Sequence, residues 1–309
     1  MYAAVVHDFA SPPRYEEFPD PAVADGTVLA RVEASAVHQI VRSIASGRHY
    51  SSAARPPFVP GIDGVVRLPE GQRVYAGGLR PPYGMLAEFA AVRPPGIAVP
   101  DGLSSAVAAA IVNPAQSSWL PLTANLVPGA TVLVLGATGI AGSLAVQAAR
   151  LKGAGRVIAA GRNVAGLERC QALGADATAE LGEGFADGLR RAAPDGVDLV
   201  LDYLWGPAAL AAIAALDKLA TPSWHETRWL QIGSVASGSI QFDAALVRSR
   251  NLRLSGHGVG SGDPAAWPTA ITEVLRAAAD SRLTIDVETV PLRDIERTWN
   301  RPARLVYEP

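Results

Sequence analysis

Residues 131–142 read TVLVLGATGIAG, and this stretch decides the fold. Its first five residues form an apolar run, which is typical of a parallel strand buried on both faces. Three glycines follow at the spacing G-x-x-G-x-x-G, and residues 140–151 have the alanine- and leucine-rich composition of a helix. A buried strand that enters a helix through a glycine-rich turn is the arrangement that binds a dinucleotide pyrophosphate.

Each glycine of this turn has its own predicted role. Gly136 suits the sharp exit from the strand, Gly139 lets a pyrophosphate approach the backbone, and Gly142 lets the helix lie close to the strand. The exposed N–H groups and the helix dipole favour the anion. The candidate cofactor-binding residues of the turn are Gly136, Thr138, Gly139, Ile140 and Gly142. The alternative is a structural turn that binds no ligand.

The residues at the end of the next predicted strand, residues 156–160, indicate which dinucleotide binds. Proteins that bind NAD usually carry an acid at its end, which accepts hydrogen bonds from the ribose. Here the strand runs into Gly161-Arg162-Asn163, without a carboxylate. Arg162 can clamp a 2′-phosphate through its planar fork, and Asn163 can add a donor. The sequence therefore favours NADPH over NADH, unless Arg162 is an ordinary solvated loop arginine.

Working outward, strand and helix patterns alternate through residues 114–281 and predict a doubly wound parallel sheet. Residues 1–113 are rich in proline and glycine and hold short β-like runs, which indicates a mostly β domain. The tail, residues 282–309, returns to short strands and is expected to rejoin the first domain. The predicted fold class is α/β, with a Rossmann domain and a second, mostly β domain.

Composition excludes several classes of protein. The 27 basic and 29 acidic residues give a net charge of −2, so there is no global electrostatic reason to bind nucleic acid or an anionic membrane. We expect no membrane span, because the apolar stretches are too short or too interrupted, and no signal peptide, because His7 and Asp8 lie within the first eight positions. The single cysteine, Cys170, rules out an intramolecular disulfide and a multi-cysteine zinc site, and it fits a cytoplasmic location.

Further segments, in their order and spacing, carry a resemblance to a known family. They are residues 60–66 (PGIDGVV), 71–75 (GQRVY), 83–88 (YGMLAE), 127–129 (VPG), 173–176 (LGAD), 197–202 (VDLVLD) and 232–233 (IG). With the glycine-rich turn, they resemble the medium-chain dehydrogenase/reductase superfamily, and more narrowly its zinc-independent quinone oxidoreductase branch. The resemblance implies a GroES-like β domain plus a Rossmann domain, with substrate and nicotinamide in a cleft between them.

The resemblance also shows where a zinc site would lie, so its ligand positions can be compared with this chain. Zinc-dependent relatives carry a ligand cysteine and, about two dozen residues later, a His-Glu pair after Pro-Gly. This chain has Ala36-Val37-His38 at the first place and Gly61-Ile62-Asp63 at the second. Valine and isoleucine have no donor atom for a metal, so no metal site is expected. Hydride transfer from NADPH to a quinone or an α,β-unsaturated carbonyl fits such a site.

Two residues are the catalytic candidates. Tyr50, in Gly47-Arg48-His49-Tyr50, matches the family's Gly-x-Tyr element with one extra residue, and it can contact the nicotinamide or donate a proton. His38 stands where relatives often carry asparagine, and it can bond the substrate or act as an acid. Packing or purely structural roles are the alternatives for both. Relatives often have an aspartate three residues after this position, whereas this chain has Val41.

The remaining cofactor candidates come from the helix before the Rossmann domain and from later strand ends. By resemblance, Ser117 stands near a threonine that contacts the cofactor. Tyr203, Gly233 and Ser234 follow predicted strands, and ligands bind at the carboxyl ends of strands in open α/β sheets.

The prediction is a zinc-independent, NADPH-dependent oxidoreductase with a small-molecule substrate. A homodimer is expected by resemblance, through residues 252–254 at the sheet edge. One alternative is a biosynthetic enoyl or imine reductase with a narrow natural-product substrate, which the departures at His38 and Val41 motivate. The other is a non-catalytic NADPH-binding sensor or structural protein.

Overall fold

A computed structural model describes residues 1–49, 52, 55–258 and 261–309. The chain divides into two compact units: residues 1–113 with 271–309 form the first, and residues 114–270 form the second. Within the described residues, no helix combines the length and the apolar character that crossing a membrane requires.

The regular elements follow in chain order. The strands are β1 (Tyr2–Val5), β2 (Arg14–Glu17), β3 (Val28–Ala36), β4 (Asp63–Arg67), β5 (Arg73–Gly77), β6 (Phe89–Val92), β7 (Ile97–Ala98), β8 (Thr131–Leu135), β9 (Arg156–Gly161), β10 (Ala177–Glu180), β11 (Leu199–Asp202), β12 (Thr227–Gln231), β13 (Leu252–Gly256), β14 (Glu288–Pro291) and β15 (Leu305–Glu308). The helices are α1 (Gln39–Ala45), α2 (Ser105–Asn125), α3 (Ile140–Leu151), α4 (Val164–Ala172), α5 (Phe185–Ala192), α6 (Gly206–Leu216), α7 (Ala244–Arg248), α8 (Trp267–Ala279) and α9 (Ile295–Thr298).

The second unit is built on a parallel sheet with the strand order β10-β9-β8-β11-β12-β13. The chain leaves β8 toward β9 and β10, and then returns to the other side of β8 at β11. The direction of winding therefore reverses between β8 and β11, which is where open α/β sheets bind ligands. Leu135 lies in register with Asp202, and Asp202 with Gln231, so these strands end side by side. The predicted doubly wound sheet is confirmed.

The apolar pattern explains why these elements form. In β8, residues 132–135 are buried, as are residues 144–149 of α3. When both faces of a strand are covered, apolar side chains on both sides are removed from water. This favours the continuous run of apolar residues seen there. β11 is buried along its whole length, and its last residue is the acidic Asp202.

The first unit contains a mixed sheet with the order β14-β15-β3-β4-β5-β7, in which β6 pairs with the other end of β3. β1 and β2 form a separate antiparallel pair. β15 lies antiparallel to β3, with Val306 opposite Ala36. The C-terminal strand β15 therefore lies beside the end of β3. His38 follows two residues after this end.

Candidate active site

The exit from β8 is a turn that requires glycine at its first position. Gly136 has φ of +86°, in the region that side chains disfavour. The amides of Gly136 and Ala137 both donate to the carbonyl of Ala160 on β9, at 2.9 and 3.0 Å. A Cβ atom at residue 136 would also lie only 3.0 Å from the side chain of Leu204. Backbone conformation and space together therefore dictate this glycine.

The other two glycines of the turn differ in what surrounds them. A Cβ atom at Gly142 would clash with the carbonyl oxygen of Gly136 and lie 2.7 Å from the Cα atom of Ala137. Gly142 therefore allows the first turn of α3 to pack on the strand exit. At Gly139 a Cβ atom would meet only the Gly136 oxygen, at 3.4 Å. Gly139 thus faces open space, which a ligand can approach.

The start of α3 presents backbone donors to this open space. Within α3, Ser143 is the first residue whose amide bonds back into the turn, donating to the carbonyl of Gly139 at 2.8 Å. Within the described ranges, the amides of Ile140, Ala141 and Gly142 have no acceptor. The first turn of this 12-residue helix also lacks an acidic side chain. These three N–H groups and the helix dipole can hold a phosphate.

The end of β9 lies against the same turn. Thr138 packs so closely that a Cβ atom at Gly161 or Gly166 would come within 2.7 or 2.8 Å of its side chain. Arg162 follows directly and is exposed, and its guanidinium makes no hydrogen bond or ion pair to any residue that the structure describes. Asn163 caps α4, because its Oδ1 accepts from the amide of Gly166 at 3.2 Å. Its Nδ2 group remains the donor that a ligand can use.

Two predicted cofactor contacts, Ser117 and Tyr203, meet each other. Their hydroxyl oxygens are 3.0 Å apart, and Ser117 donates to the carbonyl of Pro114 at 2.6 Å. Since the Ser117 proton is used there, the Tyr203 hydroxyl donates to Ser117. Burial raises the pKa of Tyr203 to about 12, against the opposing effect of its hydrogen bonds with Ser117 and Ser118. Tyr203 is therefore a neutral donor at physiological pH.

The loop after β11 lies between the glycine-rich turn and the loop after β12. Buried Asp202 shapes it by accepting from the amides of Leu204 and Trp205, at 2.8 and 2.9 Å. Trp205 has φ of +57°, a conformation that few side chains adopt and that occurs often at functional sites. A Cβ atom at Gly233 would lie 2.8 Å from the carbonyl oxygen of Tyr203, so only glycine fits there. Ser234 beside it is exposed.

Comparisons with known proteins agree with this geometry. Residues 141–276 match the family model described as zinc-binding dehydrogenase. A probable NADPH-dependent quinone reductase, tdiC, of Emericella nidulans is 27% identical, with 97% of this chain and 96% of that protein covered. The quinone oxidoreductase of Thermus thermophilus, also solved with NADPH, is 28% identical, and the comparison covers both chains completely with a TM-score of 0.80.

The chain belongs to the medium-chain dehydrogenase/reductase superfamily. It belongs to the quinone oxidoreductase-like branch, and the Rossmann plus GroES-like architecture expected from the resemblance is confirmed. A further relative, the 2-methylene-furan-3-one reductase of Solanum lycopersicum, is 32% identical over 59% of this chain and 50% of its own length.

Members of this superfamily with zinc raise the question of a metal centre here. The matched range 141–276 lies outside both segments that resemble zinc-ligand positions, residues 36–38 and 61–63. In the part of the chain that the structure describes, no group of three or more His, Cys, Asp or Glu side chains is arranged to hold a metal ion. The donor chemistry of Val37 and Ile62 does not fit zinc, and zinc independence stays a prediction on that ground.

The two catalytic candidates have different outcomes. Tyr50 lies outside the described residues. His38 lies in the first unit with 2% of its surface exposed, between Asp63 and Arg304. Nε2 of His38 is 3.0 Å from Oδ1 of Asp63, and Nδ1 is 3.0 Å from a guanidinium nitrogen of Arg304.

The sequence predictions missed some features of these regions. Arg304 had no predicted role, because nothing in the sequence connects it to a histidine 266 residues away. Trp205 was not among the predicted site residues, because its strained backbone has no sequence signal. Within the second unit, the structure brings together the glycine-rich turn, the end of β9 and the Tyr203 loop. The functional roles of the individual site residues stay predictions.

Proposed function

We propose that this protein is an NADPH-dependent oxidoreductase that transfers a hydride to a quinone or to an α,β-unsaturated carbonyl compound. The observation that carries the proposal is the exposed Arg162, which has no partner among the described residues and lies directly after β9, beside the glycine-rich turn. The relatives support it, since tdiC is described as NADPH-dependent and the tomato relative as a reductase of a methylene-furanone.

The proposed cofactor contacts follow from the described geometry. The amides of Ile140, Ala141 and Gly142 bind the pyrophosphate at the open face of Gly139. Arg162 and the Nδ2 group of Asn163 bind the 2′-phosphate, because a guanidinium pairs with phosphate through two parallel hydrogen bonds. Ser117, Tyr203, Gly233 and Ser234 are the proposed contacts of the nicotinamide half, since ligands bind beside the carboxyl ends of these strands.

Bound NADPH supplies the hydride for this reaction. The protein's part is to orient the acceptor and to exclude water. An enone also needs a proton at its α-carbon, and Tyr50 is the candidate donor. We propose that residues 114–281 form the NADPH-binding domain, and that residues 1–113 with 282–309 form the substrate domain.

The test is oxidation of NADPH, with NADH in parallel, against quinones, enones, enals and cyclic imines. We expect turnover with quinones or enones and a kcat/KM for NADPH at least ten-fold above that for NADH. Equal use of both cofactors contradicts the role of Arg162. Turnover restricted to one imine or one unusual enone supports the biosynthetic alternative, and NADPH binding without any turnover supports the sensor alternative.

We propose that the protein is a homodimer that pairs along β13. This strand is at the end of the sheet order, and its residues 253–256 are exposed, with 43% of Leu254 accessible. An exposed edge strand offers unpaired backbone groups to a second copy. Sedimentation should give a dimer for the parent protein and a monomer for Leu254→Lys. Val127→Lys, at another exposed apolar position of the same unit, should stay dimeric.

We also propose a cytoplasmic location. The single cysteine, Cys170, is buried and unpaired, which fits a reducing compartment. Fractionation of the source cells should recover the protein with cytoplasmic markers. Recovery in a membrane or secreted fraction would contradict the proposal.

A further inference from the structure

A buried cluster of polar side chains joins distant parts of the first unit. Its members are His38 after β3, Asp63 at the start of β4, Tyr75 on β5, Asn113 on α2 and Arg304 before β15. Asp63 is 6% exposed, and its two carboxylate oxygens have different partners. Oδ1 faces Nε2 of His38 at 3.0 Å, and Oδ2 accepts from Nδ2 of Asn113 at 3.1 Å. The cluster includes residues from both segments that resemble zinc-ligand positions.

The donors and acceptors of this cluster can be ordered from chemistry alone. A guanidinium only donates, so Nδ1 of His38, 3.0 Å from Nη1 of Arg304, must accept and carries no proton. A neutral imidazole then carries its proton on Nε2, which donates to Asp63. Since a carboxylate only accepts, the amide of Asn113 must turn its Nδ2 toward Asp63 and its Oδ1 away. Arg304 therefore donates to His38, and His38 donates to Oδ1 of Asp63. Asn113 donates to the other carboxylate oxygen, Oδ2 of Asp63.

The charged and titratable groups around His38 support the neutral form. Burial lowers the pKa of His38, Arg304 acts in the same direction, and Asp63 opposes them. Burial lowers the pKa of Arg304 to about 10, with Asp63 opposing and Arg42 of α1 adding to the decrease. Burial and the neighbouring Asp63 raise the pKa of Tyr75 well above its ordinary value. Arg304 and Asp63 therefore balance each other's charge, with the imidazole between them.

We propose that Arg304 and Asp63 are positioning residues that hold His38 as the neutral Nε2–H tautomer and so remove it from acid–base chemistry. Both ring nitrogens of His38 are occupied within the cluster, so it has no proton to give to a substrate. The cluster instead fixes the end of β3 to β4 and to the C-terminal strand. It also orients half-buried Asn113, whose Oδ1 accepts no hydrogen bond from the described residues and is presented as an acceptor for a ligand donor.

The consequence for catalysis rests on the proposed function: the proton for an enone then comes from Tyr50 or water. The tautomer does not rest on it, and it can be measured without turnover. We suggest ¹⁵N NMR of protein labelled at its five histidines, from pH 5 to pH 9, with the His38 signals assigned by their loss in His38→Gln. The expected result is an unchanged pattern of protonated Nε2 and unprotonated Nδ1. A His38 that titrates in this range, or that carries its proton on Nδ1, overturns the proposal.

Arg304→Gln tests the direction of the chain of hydrogen bonds. Without the cation, Asp63 has no opposite charge, so His38 should take up a proton and titrate at higher pH than in the parent protein. Arg304→Lys keeps the charge and should leave His38 neutral, and so should the control Arg301→Gln, which alters an exposed ion pair with Glu288. A His38 that stays neutral in a folded Arg304→Gln contradicts the role of Arg304. If that variant does not fold, the parent spectrum still decides, because a proton on Nδ1 of His38 is incompatible with a hydrogen bond donated by Arg304.

Turnover of an enone separates a positioning role of His38 from a catalytic one. Glutamine has an oxygen that accepts from Arg304 and an amide that donates to Asp63, so it imitates the neutral imidazole. His38→Gln should therefore retain at least ten-fold more activity than His38→Leu, with the pH profile of the parent protein. If His38 is the proton donor, the two variants should lose activity equally.

Discussion

The glycine-rich turn and the buried cluster around His38 are assembled in opposite ways. The turn, with the end of β9, comes from one short stretch of chain, residues 131–166, and depends on backbone conformation and close packing. The cluster takes its members from five places in the sequence, up to 266 residues apart, and depends on matching donors with acceptors. Local structure can therefore be identified from a motif, whereas the cluster is visible only in the folded chain.

The largest expected effect is that of a side chain at Gly142, because it should impair both stability and cofactor binding. Gly142→Val places two methyl groups against the Gly136 carbonyl, so we expect a loss of about 3 kcal/mol or more in the free energy of unfolding and no measurable NADPH binding. Gly188→Ala is the control, because a Cβ atom there meets nothing within 4 Å and alanine favours the helix. Thermal unfolding and cofactor titration measure both, and equal stability of the two variants would refute the packing argument.

The next effect tests the cluster. Asp63→Asn leaves the charge of Arg304 buried and unbalanced, so we expect it to cost about 3–5 kcal/mol of the free energy of unfolding. The double variant Asp63→Asn with Arg304→Gln should cost less than the sum of the two single variants, by about 0.5–3 kcal/mol. Asp101→Asn, an exposed change in the same unit, should alter stability by less than about 0.5 kcal/mol. Strict additivity in denaturant unfolding would show that Asp63 and Arg304 are independent.

A smaller effect is expected at the cofactor. Arg162→Ala removes the proposed partner of the 2′-phosphate, so NADPH affinity should fall about 10- to 100-fold, the equivalent of about 1.4–2.7 kcal/mol. NADH affinity should change less than about two-fold, since NADH lacks this phosphate. Arg191→Ala, at an exposed arginine of α5, is the control for net charge. If NADPH and NADH lose affinity together, Arg162 does not select the cofactor.

The smallest effect is a dependence of stability on pH. Burial lowers the pKa of His38 below its ordinary 6.5. Between the two pKa values, His38 is therefore protonated in the unfolded chain and neutral in the folded chain. Stability from this source is lost as the pH falls from about 6.5 toward the lowered value, by up to about 1.4 kcal/mol per pH unit. His38→Gln should remove this slope in denaturant unfolding between pH 7.5 and 5.5. His7→Gln, at a partly exposed histidine, should retain it.

The sequence predicted the second unit best because its elements follow local rules. Residues 140–151 were predicted as a helix and form α3 with those same bounds, since an apolar face and a glycine-rich start occur together. β8 likewise matches the predicted run 131–135. The long helix α2 was not predicted at its full length, because Pro114 and Pro121 lie inside it and proline usually ends a helix.

The candidate site could be predicted only in part, and for a physical reason. Gly136 and Gly142 are recognisable because their backbone conformation and packing leave no other choice at those positions. The pairing of His38 with Asp63 and Arg304 depends on the register of β15 against β3, which no local pattern encodes. The orientation of Tyr203 toward Ser117 depends in the same way on tertiary packing.

A crystal structure of the complex with NADPH tests the central claim most directly. The account predicts pyrophosphate oxygens within hydrogen-bond distance of the amides of residues 140–142, and the 2′-phosphate paired with the guanidinium of Arg162. A complex in which the adenosine phosphate lies away from Arg162, or in which the pyrophosphate does not reach the start of α3, would contradict it.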